Sequence, residues 1–96
     1  MDVLVDCIIR RHHPHGEHYG IEHLGGPDNG RGMRWIDHRK NVIASIKYGQ
    51  TRFYTRHGSG KQFIEVVDGP HGEYLRTFAD ETPTDNLLHQ PTCPEQ

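Results

Sequence analysis

Five histidines fall in twelve positions, His12-His13-Pro14-His15-Gly16-Glu17-His18-Tyr19-Gly20-Ile21-Glu22-His23. Neutral imidazole is a good donor for Zn2+ or Ni2+, provided that three or four donors converge on one point. His12, His13, His15 and His18, with Glu17 beside them, are the candidate ligands. Their spacing matches no metal motif: there is no His-Glu-x-x-His and no Cys-x-x-Cys. Pro-His-Gly-Glu also occurs twice, at 14–17 and at 70–73, and the second copy has no histidine cluster. Proline second and glycine fourth fit a type I turn whose glycine is left-handed, a common hairpin link. Backbone geometry therefore accounts for Pro14 and Gly16. The segment reads first as a hairpin tip, with metal binding as the alternative. All nine histidines titrating near 6.5 would carry the net charge from −2 toward +7, but the pattern shows no bistable element for such a change to switch.

The second chemical feature is charge segregation. Residues 1–30 carry a net −3, residues 31–61 a net +7 and residues 62–96 a net −6. The helix expected in the basic middle starts Asp37-His38-Arg39-Lys40, although the positive end of the helix dipole favours acids there. An anion visiting Arg39 and Lys40 would explain the exception. Farther along, Arg52, Tyr54 and Arg56 share one strand face by two-residue alternation, a strip that can track phosphates and stack on bases. The bland alternative is neutralisation by Glu65, Asp68, Glu73, Asp80, Glu81 and Asp85 of the same chain, on an edge strand guarded by cations.

Catalysis finds no support. Gly58-Ser59-Gly60-Lys61 lacks the glycine spacing of a phosphate loop and reads as a hairpin turn. Neither Ser45 nor Ser59 lies in a nucleophile motif. Cys7 alternates with Val3, Val5 and Ile9 as a packing residue. Cys93 lies in a Pro-Thr-Cys-Pro segment expected to be exposed. Two such distant cysteines read as free thiols. The start Met1-Asp2 is unlike a signal peptide, and no apolar run approaches the roughly 20 residues of a membrane helix. A cytoplasmic protein without membrane contact is the expectation.

The elements that must position these groups follow from pattern. Ninety-six residues with 32% hydrophobic content support one thin core. Val3 to Ile9 reads as a β-branched strand and Tyr19 to Leu24 as a second. Gly25 to Gly32 reads as a loop. Asp37 serves as N-cap of a helix carrying Val42, Ile43 and Ile46 and ending at Gly49. Strands follow at Thr51–Arg56, Lys61–Val67 and Glu73–Phe78, and Leu87-Leu88 folds back over an open edge of the core. The predicted fold is α+β: a mostly antiparallel sheet of four to five strands covered on one face by a single helix, in the order β-β-α-β-β-β. Residues 1–91 form the one domain, and 92–96 a frayed tail.

The order Cys7-Ile8-Ile9-Arg10, Ile21-Glu22-His23-Leu24-Gly25-Gly26, Trp35, Val42-Ile43-Ala44-Ser45-Ile46-Lys47-Tyr48-Gly49, Phe53-Tyr54 and Asp85-Asn86-Leu87-Leu88 with Pro91 and Cys93 resembles the small bacterial family catalogued as domain of unknown function 3892. The resemblance implies a single small domain with no assigned activity, and it brings no catalytic or ligand residues. Such proteins commonly have Leu-Pro after Asp-Asn-Leu-Leu, where this chain has Gln90-Pro91. Their helix tends to start with acids, so His38-Arg39-Lys40 is particular to this chain, as is the histidine-rich hairpin. The functional expectation is a non-enzymatic module that contacts a nucleic acid or phosphate-bearing ligand through Arg39, Lys40, Arg52, Tyr54 and Arg56. The alternatives are metal binding by the histidines and a homodimeric structural module.

Overall fold

A computed structural model describes residues 2–27, 32–58, 60–77 and 86–94. Among these residues seven strands and one α-helix occur in the order β1 (Asp2–Leu4), β2 (Cys7–Arg10), β3 (Ile21–Gly26), β4 (Trp35–His38), α1 (Arg39–Tyr48), β5 (Arg52–His57), β6 (Gly60–Gly69) and β7 (Gly72–Thr77). Short 3-10 turns lie at Glu17–Gly20 and Asn86–His89. The α+β class stands, but the expected single sheet is corrected to two, with strand orders β1-β5-β6-β7 and β2-β3-β4.

The split begins inside the first apolar run. Val5 donates its amide to Tyr54 O at 2.7 Å, in the four-stranded sheet, and Asp6 donates to Gly25 O at 3.0 Å, in the three-stranded one. One continuous β-forming segment thus gives a strand to each sheet. β1 runs parallel to β5, with Asp2 opposite Arg52 and Leu4 opposite Tyr54, and the connection between them passes through β2, β3, β4 and α1, the long crossover a parallel pair needs. Trp35–His38 is a strand the pattern did not announce; it pairs with β3 as far as Gly26 opposite Trp35. Gly25 and Gly26 are therefore strand residues and not the start of a loop.

Between the sheets, Val5, Ile8, Ile21, Leu24, Phe53, Ile64, Leu75 and Leu87 form one core with Val42 of α1. Ile43 and Ile46 pack against it at helical spacing. The helix ends as expected, with Gly49 at φ 74° donating its amide to Ile46 O. Its start differs: His38, not Asp37, is the N-cap, and its ring Nδ1 accepts the Lys40 amide at 3.1 Å. Both Pro-His-Gly-Glu segments are turns with a positive-φ glycine, Gly16 and Gly72, and the second joins β6 to β7 as a hairpin.

The expectation of two free thiols is corrected: Cys7 and Cys93 form a disulfide, and both are buried. It fastens residues 91–93 to β2, where Ile8 donates to Pro91 O and accepts from Cys93 N. Thr92 and Cys93 thus lie beside a strand. No helix among the described residues is long and apolar enough to cross a membrane.

Candidate anion-binding face

Strand alternation and register decide which side chains share the outer face of the four-stranded sheet. Phe53 and Thr55 of β5 point to the core and are buried, so Arg52, Tyr54 and Arg56 point the other way. Cross-strand pairing places Phe63 opposite Tyr54 and Lys61 opposite Arg56, adding two residues of β6 to the strip. Diagonal neighbours then interlock. The Arg52 guanidinium lies over the Phe63 ring at 4.5 Å and the Lys61 ammonium over the Tyr54 ring at 4.5 Å. Tyr54 is consequently only 8% exposed. The β5–β6 tip adds a hollow of about 260 Å³ lined by Arg56, Gly58, Gly60 and Lys61; Ser59 of that turn lies outside the described residues.

One carboxylate serves two of the cations. Asp2 of β1 accepts from Arg52 Nε at 3.0 Å and Nη2 at 3.2 Å, and stands 3.5 Å from Lys61 Nζ. Burial alone would raise the Asp2 pKa. The Arg52 hydrogen bond and the charges of Arg52 and Lys61 outweigh it, holding the carboxyl below its ordinary 3.8. The Arg52 and Lys61 side chains remain 66% and 50% exposed, and exposed pairs contribute little to stability. Arg56 has no carboxylate partner among the described residues.

The other sequence candidates have different surroundings. Arg39 folds back on the 3-10 turn and donates to Tyr19 O at 2.7 Å and Ile21 O at 3.4 Å. That contact gives the basic first turn a structural reason. Asp37, which accepts from His38 N and Asn41 Nδ2, supplies the acid the turn itself lacks. Lys40 is exposed. Lys47 pairs with Glu73 at 2.7 Å and Arg34 with Asp6. Neutralisation by the C-terminal third thus occurs at Glu73, whereas Asp80, Glu81 and Asp85 lie outside the described residues.

The histidine segment connects β2 to β3 and meets the second Pro-His-Gly-Glu turn. His15 stacks on His71 with ring centroids 3.5 Å apart, and His13 stacks on Tyr19 at 5.5 Å. His18 leans on Tyr74, and His12 is exposed. The Tyr19 hydroxyl accepts the His71 amide and donates to Gly72 O. Among the described residues no three His, Cys, Asp or Glu side chains are arranged to hold a metal ion. Burial, then the neighbouring His15, Arg39, His71 and His12, lower the His13 pKa below its ordinary 6.5. A histidine whose folded pKa is depressed contributes stability above its unfolded pKa and loses it as pH falls through the folded one. Thermal unfolding followed from pH 7.5 to pH 5.5, about one unit either side of the reference histidine pKa, should show a falling midpoint in the native protein and a smaller fall in His13→Gln.

Fold and face together define a small two-sheet α+β domain with cations and aromatic rings interleaved on the outer face of one sheet. The chain belongs to the family described as protein of unknown function DUF3892, whose model matches residues 5–91. No curated protein and no solved structure matches it.

Alternation alone brings Arg52, Tyr54 and Arg56 together as one strand face, but it does not bring Lys61 and Phe63 to that face. The available signal was the short Gly58–Gly60 turn, which sets the β5–β6 register and hence the partners of Arg56 and Tyr54.

Proposed function

We propose that this protein is a non-enzymatic binding module that takes a single-stranded nucleic acid across the outer face of β5 and β6. The observation that carries the reading is the placement of Arg52, Arg56 and Lys61 around Tyr54 and Phe63. Phosphates would replace Asp2 on Arg52 and Lys61 and engage Arg56, while the rings offer sequence-tolerant stacking. A cation–π contact at an exposed site is worth about 0.5–1 kcal/mol, so lifting Lys61 from Tyr54 costs little against a base stack of about 1–3 kcal/mol. Arg39 is engaged elsewhere, so β5 and β6, and not the helix start, supply the contacts.

Fluorescence polarisation with short single-stranded RNA and DNA at low salt tests this. Binding tighter than about 100 μM is expected. Arg52→Ala with Arg56→Ala should weaken it at least about tenfold and lessen the slope of log affinity against log salt by roughly 1.4, at about 0.7 per phosphate contact. No binding, or affinity unchanged in the double variant, overturns the reading.

A further inference from the structure

The Cys7–Cys93 bond joins the second strand to the last described residues, and its surroundings suit opening as well as closure. Residues 86–93 are docked piece by piece. Asn86 Nδ2 donates to Thr55 Oγ1 and Arg56 O, each at 2.8 Å, and the Leu87 amide donates to Thr77 Oγ1 at 3.1 Å. Arg10 donates to Leu88 O and Gln90 O, and Pro91 and Cys93 hydrogen-bond Ile8 on the open side of β2. Only the disulfide makes this docking covalent. Gly25 admits the two sulfurs: a Cβ there would lie 2.8 Å from Cys7 Sγ and 3.0 Å from Cys93 Sγ. Arg34, paired with Asp6, reaches to 3.7 Å from Cys7 Sγ.

We propose that Cys7–Cys93 is a reducible latch: a dithiol donor opens it within the folded protein, releasing residues 88–94 from β2 and loosening Asn86 and Leu87 on β5 and β7, while both sheets persist. The chemistry follows from the asymmetry of the two sulfurs. In thiol–disulfide exchange the better leaving group is the sulfur whose thiolate is more stabilised, and a guanidinium stabilises a thiolate. The donor thiolate attacks Cys93 Sγ, because Cys93 is the more exposed residue of the pair, 6% against 2%, and carries the releasable segment. The Cys7–Cys93 bond breaks as the donor–Cys93 bond forms, and Cys7 departs as a thiolate beside Arg34. The donor's second thiol, as its thiolate, then attacks its own sulfur in the mixed disulfide and frees Cys93. Two electrons and two protons have passed from the dithiol to the protein, and the donor leaves as its disulfide. What remains on the tail is a set of individually weak hydrogen bonds, the buried Leu87 and the partly buried Leu88. Local opening of this segment then no longer requires the rest of the domain to unfold, and each opening bares the Ile8 N–H and C=O as an unpaired strand edge.

Titration of the native protein with dithiothreitol, without denaturant, tests the latch. Free thiols are read by alkylation and mass, and amide exchange is followed residue by residue. Both cysteines should become alkylated while the amides of β5 and β6 keep their protection. The Ile8, Leu87, Gln90 and Cys93 amides should then exchange at least about tenfold faster. In Arg34→Gln, reduction should be several-fold slower. Reduction that occurs only with loss of β5–β6 protection, or only in denaturant, overturns the latch. So does unchanged exchange at the four tail-contact amides after reduction. An unaltered reduction rate in Arg34→Gln overturns the order of attack.

Discussion

Cys93→Ser should lower the unfolding free energy by about 2–5 kcal/mol, the range seen when a native disulfide is removed from a small domain. The two cysteines are 86 residues apart in sequence, and closing a loop of that length removes roughly 4–5 kcal/mol of chain entropy from the unfolded ensemble on the entropic account. The native state loses little else, because the serine oxygen can occupy much of the sulfur's space beside Gly25. Urea unfolding followed by circular dichroism is the measurement. The native protein should show a clearly higher midpoint than Cys93→Ser without reductant, and the two should nearly converge once the native protein is reduced. Equal midpoints in oxidising buffer would mean that the bridge does not form in solution.

Gly26→Ala should be about as damaging, for a steric reason. Gly26 sits where β3 passes beneath β1 and pairs with Trp35. A Cβ there would collide with the Leu4 carbonyl oxygen and lie 2.6 Å from Trp35 Nε1. A backbone carbonyl of a paired strand cannot swing aside as a flexible side chain would. Relief has to come from moving β1 or β4, and with it the junction of the two sheets. About 3 kcal/mol, the upper end of ordinary overpacking costs, corresponds to a melting midpoint lower by roughly 12–24 °C in a domain near 100 residues. A midpoint within a degree or two of the native one would show that the two sheets approach less closely at this point.

Gly26 also shows where sequence legibility stopped. A Gly-Gly-Pro run is ordinary loop chemistry, and only pairing with Ile36 and Trp35 of β4 makes Gly25 and Gly26 strand residues. The break at Val5–Asp6 was hidden for a similar reason. The apolar run is continuous, and the kink is decided by which partner each amide finds, Tyr54 or Gly25. By contrast, Gly49 stopped the helix and Gly16 and Gly72 took positive φ as read, because those constraints are local to the backbone. Alternation put Arg52, Tyr54 and Arg56 on one face, whereas Asp2, Lys61 and Phe63 reached it through strand pairing across the chain. The disulfide is not legible in the sequence, because the distance between two cysteines along the chain carries no information about their distance in space.

The same pairing makes Asp2 the most informative residue on the proposed face. If Arg52 and Lys61 are there only to neutralise it, removing its charge does nothing for an external anion. If they form the binding surface, Asp2 is the competitor that a phosphate displaces. Asp2→Asn, titrated against single-stranded RNA by polarisation at neutral pH and low salt, should bind about fivefold more tightly than the native protein, the gain from freeing two cations of an exposed carboxylate. Affinity unchanged or weakened by Asp2→Asn would contradict the account.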